Sequence, residues 1–185
     1  MRRVFCFFLL CFLCTACASE EEQLSPAIEF RTELVQAGGC SFTADVTADF
    51  TDSIQAFSLD CTSDDADCVY MTVTAPETLA GITATATQDG GQITYDGMAM
   101  DFGLLANGNV IPAAAPAIIH TCWTGEYISS AGQEGELYRV TFEKDFDEKK
   151  LIVDTWFEKS IPICAEICYN GERIIKIAIS NFSFN

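Results

Sequence analysis

The sequence predicts an α+β protein dominated by strands: one large curved antiparallel sheet, a half-barrel of about ten strands, covered by one or two helices. Three observations predict it. Residues 41–50 alternate cleanly, with Phe42, Ala44, Val46, Ala48 and Phe50 on one side and Ser41, Thr43, Asp45, Thr47 and Asp49 on the other, as in a sheet with one wet face. Further short strand-like runs follow, punctuated by Asp89-Gly90 and Asn170-Gly171, which are hairpin signals. The series is broken once, at residues 110–125, by a helical stretch opened by Pro112 and Pro116 and closed by Gly125. A sheet of this size exposes an apolar face unless it is covered or closed, and the helix is the obvious cover.

Residues 1–16 read as a secretory signal: Arg2 and Arg3, an apolar run from Val4 to Leu13, then small residues. That run is far short of the roughly 20 residues a membrane span needs. The end of the signal, Leu13-Cys14-Thr15-Ala16-Cys17, resembles the lipobox of bacterial lipoproteins, although that family prefers Leu where Cys14 stands. The resemblance implies a lipidated Cys17 and residues 17–25 as an acidic tether. Ala16-Cys17-Ala18 also fits an ordinary small-x-small cleavage site. Residues 26–185 form one domain, within a mature chain of 169 residues, enough to bury a core.

Loss of Arg2 and Arg3 leaves 8 basic against 27 acidic residues, a net charge of −19. Nucleic acid is excluded as a partner, because phosphate binding needs clustered Lys and Arg. An anionic membrane surface would repel the domain, so membrane contact is expected through the lipid alone.

Residues 26–36 read as a short amphipathic helix with Ser25 as its cap, Gly38-Gly39 as its stop, and Ile28, Leu34 and Val35 as its apolar positions. Strands are expected at 41–50, 53–61, 68–75, 82–87, 92–96 and 99–105. A Thr51-Asp52 turn, an acidic loop at 62–67 and an Asn107-Gly108 turn lie among them. After the central helix come strands at 137–143, 151–158, 163–169 and 173–184, with a charged connection at 144–150. Ala115, Ile119, Cys122 and Trp123 share one stripe of the central helix, which should face the sheet. Ala117, His120, Thr121 and Thr124 fall on the other, wet side.

The chemistry-bearing residues yield no catalytic or metal site. His120 and Cys122 are two apart on a helix and do not face each other, as a thiol–base pair requires. Six cysteines remain beyond Cys17, namely Cys40, Cys61, Cys68, Cys122, Cys164 and Cys168. An even number in an exported domain points to disulfides, and one is expected within the trio Cys40, Cys61 and Cys68. Cys164 and Cys168 are four apart on a strand, too far to join each other, and Cys122 reaches either only if the helix crosses that strand. Asp60, Asp64, Asp65 and Asp67 lack the glycine and distal Glu of a calcium loop, and Glu158 and Glu166 have no glycosidase spacing.

The order of elements, with Ala75-Pro76-Glu77-Thr78-Leu79-Ala80-Gly81-Ile82, the proline-led helix, residues 162–166, Asn170-Gly171 and residues 177–182, resembles the convex half-barrel of LolA-, LolB- and LppX-type lipoproteins, including a GerS-like variant. The resemblance implies a membrane-anchored extracytoplasmic lipoprotein without enzymatic activity or cofactor, holding a lipid, acyl chain or lipoprotein between sheet and helix. Phe57, Leu59, Ile82, Phe102, Ile119, Trp123, Phe142, Val153, Phe157 and Ile177 line either that cavity or a filled core. The rival expectation is an envelope protein that docks a protein partner and has no lipid cavity.

Overall fold

A computed structural model describes residues 20–50, 53–64, 68–106, 109–146 and 149–185. The expected tight turns at 51–52 and 107–108, and Cys17, lie outside them. Helix α1 (Glu20–Ala37) is followed by β1 (Cys40–Phe50), β2 (Ser53–Ser63), β3 (Val69–Ala75), a 3-10 turn (Glu77–Leu79), β4 (Thr83–Thr87), β5 (Gly90–Tyr95) and β6 (Met98–Phe102). A two-residue ladder, β7 (Leu105–Ala106) with β8 (Asn109–Val110), leads through a second 3-10 turn (Pro112–Ala114) into α2 (Ala115–Thr124). Then come β9 (Tyr127–Glu134), β10 (Leu137–Phe146), β11 (Lys149–Glu158), β12 (Ile161–Tyr169) and β13 (Glu172–Phe184).

Among the described residues, eleven strands form one open antiparallel sheet in the order β6-β5-β4-β3-β2-β1-β13-β12-β11-β10-β9. Two meanders, β1–β6 and β9–β13, are fused where β1 pairs with β13. The chain must therefore travel from one edge of the sheet, β6, to the opposite edge, β9. That crossover carries α2, which lies along the inner face of the curve against β3 and β4. The predicted fold class holds, and the topology explains why the helix sits between the two strand series.

Register and burial agree along the seam. Ala44 faces Leu59 on one side and Ile179 on the other, and Val46 faces Phe57 and Ile177. Small residues at inner positions, Ala44, Ala48, Ala165 and Thr155, are fully buried and leave room for α2. Asn170 (φ 54°) and Gly171 (φ 82°) make the left-handed turn between β12 and β13 that the Asn-Gly pair predicts.

Several expectations are corrected. Strand β9 (YISSAGQE) was not predicted: its Ser, Gly and Gln give weak strand propensity, and it is an edge held by pairing with β10. The charged segment 144–150 is largely strand, since β10 and β11 run on to Phe146 and from Lys149. The acidic loop begins later than expected, because β2 extends to Ser63. Helix α1 starts at Glu20, not Pro26, so Ser25 lies inside the helix, as does Pro26. Its buried positions are Ala27, Phe30 and Leu34, while Ile28 and Val35 face outward.

Candidate binding surface

The inner face has three regions that differ in how they are covered. The first lies beneath α2. Trp123, wholly buried, meets Phe30, Phe42 and Phe182 at ring-centroid separations of 5.8, 5.7 and 6.0 Å. Phe30 in turn packs on Phe157 and Phe184. The indole Nε1 donates to Thr155 Oγ1 at 3.1 Å, so the one polar atom of the ring is paired in the core. Of the ten residues expected to line a cavity or core, Leu59, Ile119, Trp123, Phe142, Val153, Phe157 and Ile177 are buried. Phe57, Ile82 and Phe102 are half-buried. Where α2 meets Leu104 and Leu151, beside Ile118, the void is about 10 Å³, no more than a single water needs.

α2 is fixed from outside by α1. Arg31 donates from Nε to the Trp123 carbonyl at 2.9 Å and from Nη2 to the carbonyls of Cys122 at 2.9 Å and Glu126 at 2.7 Å. These are carbonyls at the C-terminal end of the helix and just beyond it, where a cation is favourable. This second layer corrects the expectation for His120, which is 1% exposed rather than wet. The one-stripe reading assumed a single covered side. Here α2 is covered by the sheet and by α1, and His120 borders a cleft with Leu34, Val35, Gly38, Gly39, Asp64, Thr124 and Gly125.

The second region is a cleft of about 200 Å³ beside the start of α1, with Ala27, Phe30, Tyr138 and Phe157 among its walls. It is below the roughly 300–1,000 Å³ of ordinary small-molecule sites. Tyr138 closes one side by donating its hydroxyl to the Gln23 carbonyl.

The third region is the far end of the inner face, on β4–β6. There Tyr95, Met98 and Met100 are 55%, 69% and 65% exposed. They are held by a hairpin that sequence reasoning did not single out, with Asp96 (φ 50°) and Gly97 (φ 74°) at its turn. Asp96-Gly97 between apolar runs was the available signal. Gly91 stands opposite Phe102, and a Cβ there would lie 2.6 Å from the Phe102 ring and 2.3 Å from the Thr85 carbonyl oxygen.

The thiols are structural. Cys40, Cys61 and Cys68 are free thiols here, and the expected disulfide among them is not seen. On the ladder Cys61 faces Phe42 and Met71, while the Cys40 backbone N–H donates to Ser63 Oγ at 2.9 Å. Cys40 and Cys61 are thus diagonal neighbours, about 7–8 Å apart between Cα atoms, beyond bridging range. Cys122 lies inside, whereas Cys164 and Cys168 lie on the outer face of β12, so no bridge joins them. Burial pushes the Cys40 thiol up to about 11 and raises Cys61 and Cys122 as well, so all three stay protonated and poorly nucleophilic near neutrality. Asp64, suspected only as part of an acidic tip, organises the β2–β3 hairpin. Its carboxylate accepts from the Cys68 N–H at 3.1 Å and the Tyr70 hydroxyl at 2.9 Å. Among the described residues no three His, Cys, Asp or Glu side chains are grouped to hold a metal, and no helix is long and apolar enough to cross a membrane.

The candidate site is therefore a surface on an open antiparallel half-barrel. No family model matches the chain, and no curated protein matches it in sequence. Among solved structures the chain is similar to a LolA superfamily protein from Nitrosomonas europaea, with 9% identity, 86% of this chain and 93% of that chain covered, and a TM-score of 0.45. It is similar to LprF from Mycobacterium bovis (13% identity, 87% and 96% covered, TM-score 0.42). It is also similar to the lipoprotein LppX from Mycobacterium tuberculosis (9% identity, 87% and 99% covered, TM-score 0.38).

Proposed function

We propose that the protein is a non-enzymatic envelope lipoprotein, anchored through Cys17 on the outer face of a bacterial membrane, that docks a protein component on the exposed apolar end of its inner face. The observation that carries this reading is the filled core. Side chains of the sheet, α1 and α2 form one continuous buried core beneath α2, while apolar surface is left open on β5 and β6. The buried, protonated Cys122 supports the non-enzymatic part. Native mass spectrometry of the exported chain is expected to show protein plus its N-terminal modification only, and a further lipid adduct overturns the reading. Labelling with a fatty acid is expected to mark the natural chain and not Cys17→Ala.

A bound acyl chain is the second reading, favoured by the cleft of about 200 Å³ beside α1 with its Phe30 and Phe157 walls. In that case a lipid adduct is present, and Phe157→Glu removes it.

A further inference from the structure

We propose that the free edge of β6 takes up an extended protein segment in which apolar and basic residues alternate, adding it to the sheet as a twelfth strand. This rests on the protein-docking reading above and names the partner's chemistry.

The inner face opens gradually toward this edge. Cys61, Met71, Ala84, Ile93 and Met100 are successive ladder partners from β2 to β6. Cys61 and Met71 are buried, Ala84 and Ile93 are half-buried, and Met100 is largely exposed. The apolar row ends in air at β6, the last strand of the sheet. Exposed methionines suit a surface that adapts to its partner.

The backbone at this edge is free to pair. In a two-residue hairpin the pair flanking the turn exchanges both hydrogen bonds, and bonded pairs then alternate. Tyr95/Met98, Ile93/Met100 and Gly91/Phe102 are therefore the bonded pairs. The N–H and C=O groups of Ala99 and Asp101 point to the open side, a template for another strand. A segment added there extends both faces at once. Its inner side chains continue the Ile93–Met100 row and must be apolar. Its outer side chains continue the Gln92–Asp101 row, where Gln92 Nε2 already donates to Asp101 Oδ1 at 2.8 Å.

Charge selects the outer residues. No Lys or Arg occurs between Arg31 and Arg139, an interval that holds 15 Asp and Glu. Every strand from β1 to β9 lies in it, the β4–β6 end of the sheet included. Lys or Arg beside Asp101 is favoured there, and an acidic segment is repelled. The same field disfavours a second copy, which would set Asp96 and Asp101 of one chain beside those of the other. It also disfavours an anionic lipid surface. Helix α1 is not the occupant, because it runs against β9, the opposite edge of the sheet, and against β13 at its middle.

The test uses the exported full chain and two labelled peptides, one alternating Val and Lys, the other Val and Glu. The Val–Lys peptide is expected to bind one to one and to weaken with added salt, and the Val–Glu peptide not to bind. Ala99→Pro removes an outward N–H on an edge that tolerates proline. Met100→Lys places a charge in the apolar row without touching the backbone. Each is expected to weaken Val–Lys binding by about tenfold or more, with an unchanged circular dichroism spectrum. Equal binding to the natural chain and both variants, or equal binding of the two peptides, overturns the proposal. So does a dimer in native mass spectra that Ala99→Pro abolishes, which makes the occupant a second copy. A lipid adduct in those spectra overturns the protein-docking reading instead, and is told apart because it leaves the peptide comparison unaffected.

Discussion

Arg31 reaches the Trp123 carbonyl across the junction of α1 and α2, its Nε donating at 2.9 Å while Nη2 serves Cys122 and Glu126. One planar fork thus ties the N-terminal helix to the end of the crossover helix. Burial lowers the affinity of this guanidinium for its proton, and the carbonyls it meets compensate in hydrogen bonds. Arg31→Met is expected to destabilise the fold by about 3 kcal/mol, read from urea unfolding. Arg31→Lys is expected to recover less than half, because an ammonium cannot reproduce the fork. Full recovery by Lys would show that charge alone matters here.

Trp123 supplies the second test. Its indole N–H is buried and paired with Thr155 Oγ1. Thr155→Val keeps the shape and strands that donor, at an expected cost of about 1–3 kcal/mol. Thr155→Ser keeps the acceptor and should cost less. The reverse order would mean that the methyl group's packing, not the hydrogen bond, holds the pair.

The contact between Gly91 and Phe102 yields a double-mutant test. Gly91→Ala sets a methyl against both the Phe102 ring and the Thr85 carbonyl, and is expected to cost about 1–3 kcal/mol. Adding Phe102→Ala relieves the ring contact but not the backbone one. The two changes together should therefore cost less than the sum of the single changes. Strict additivity would show that the ring simply moves aside.

The buried thiols set an alkaline limit. Cys40, Cys61 and Cys122 have folded values raised above the usual 9.0 by burial, so the folded chain holds these protons more tightly than the unfolded one. Their contribution to stability is complete below pH 9 and is lost as pH rises, through about 11 for Cys40. Each thiol contributes a fall of up to about 1.4 kcal/mol per pH unit in that window. Thermal unfolding midpoints are expected to drop steadily above pH 9. Iodoacetamide at pH 8 is expected to spare these three in the folded chain, and rapid modification of Cys122 would contradict its burial.

The sequence by itself determined the elements whose periodicity is local. The alternation of residues 41–50, the Asn170-Gly171 turn, the proline-led and glycine-ended helix and the strand-rich class all follow from backbone preference and side-chain period, which neighbours in the chain decide. Tertiary structure decided the rest. Strand β9 exists because β10 offers it a ladder, not because Ser129, Ser130 and Gly132 favour extension. His120 is dry because α1 covers the side of α2 that the sheet does not, and one helix's pattern cannot show how many layers will cover it. Cys40 and Cys61 stay apart because register places Phe42, not Cys40, opposite Cys61. The open surface on β6 follows from topology: α2 crosses the concavity between the two edges and leaves the Met98–Met100 end uncovered. Burial is a property of what packs on a surface, and that is fixed by contacts between residues far apart in the chain.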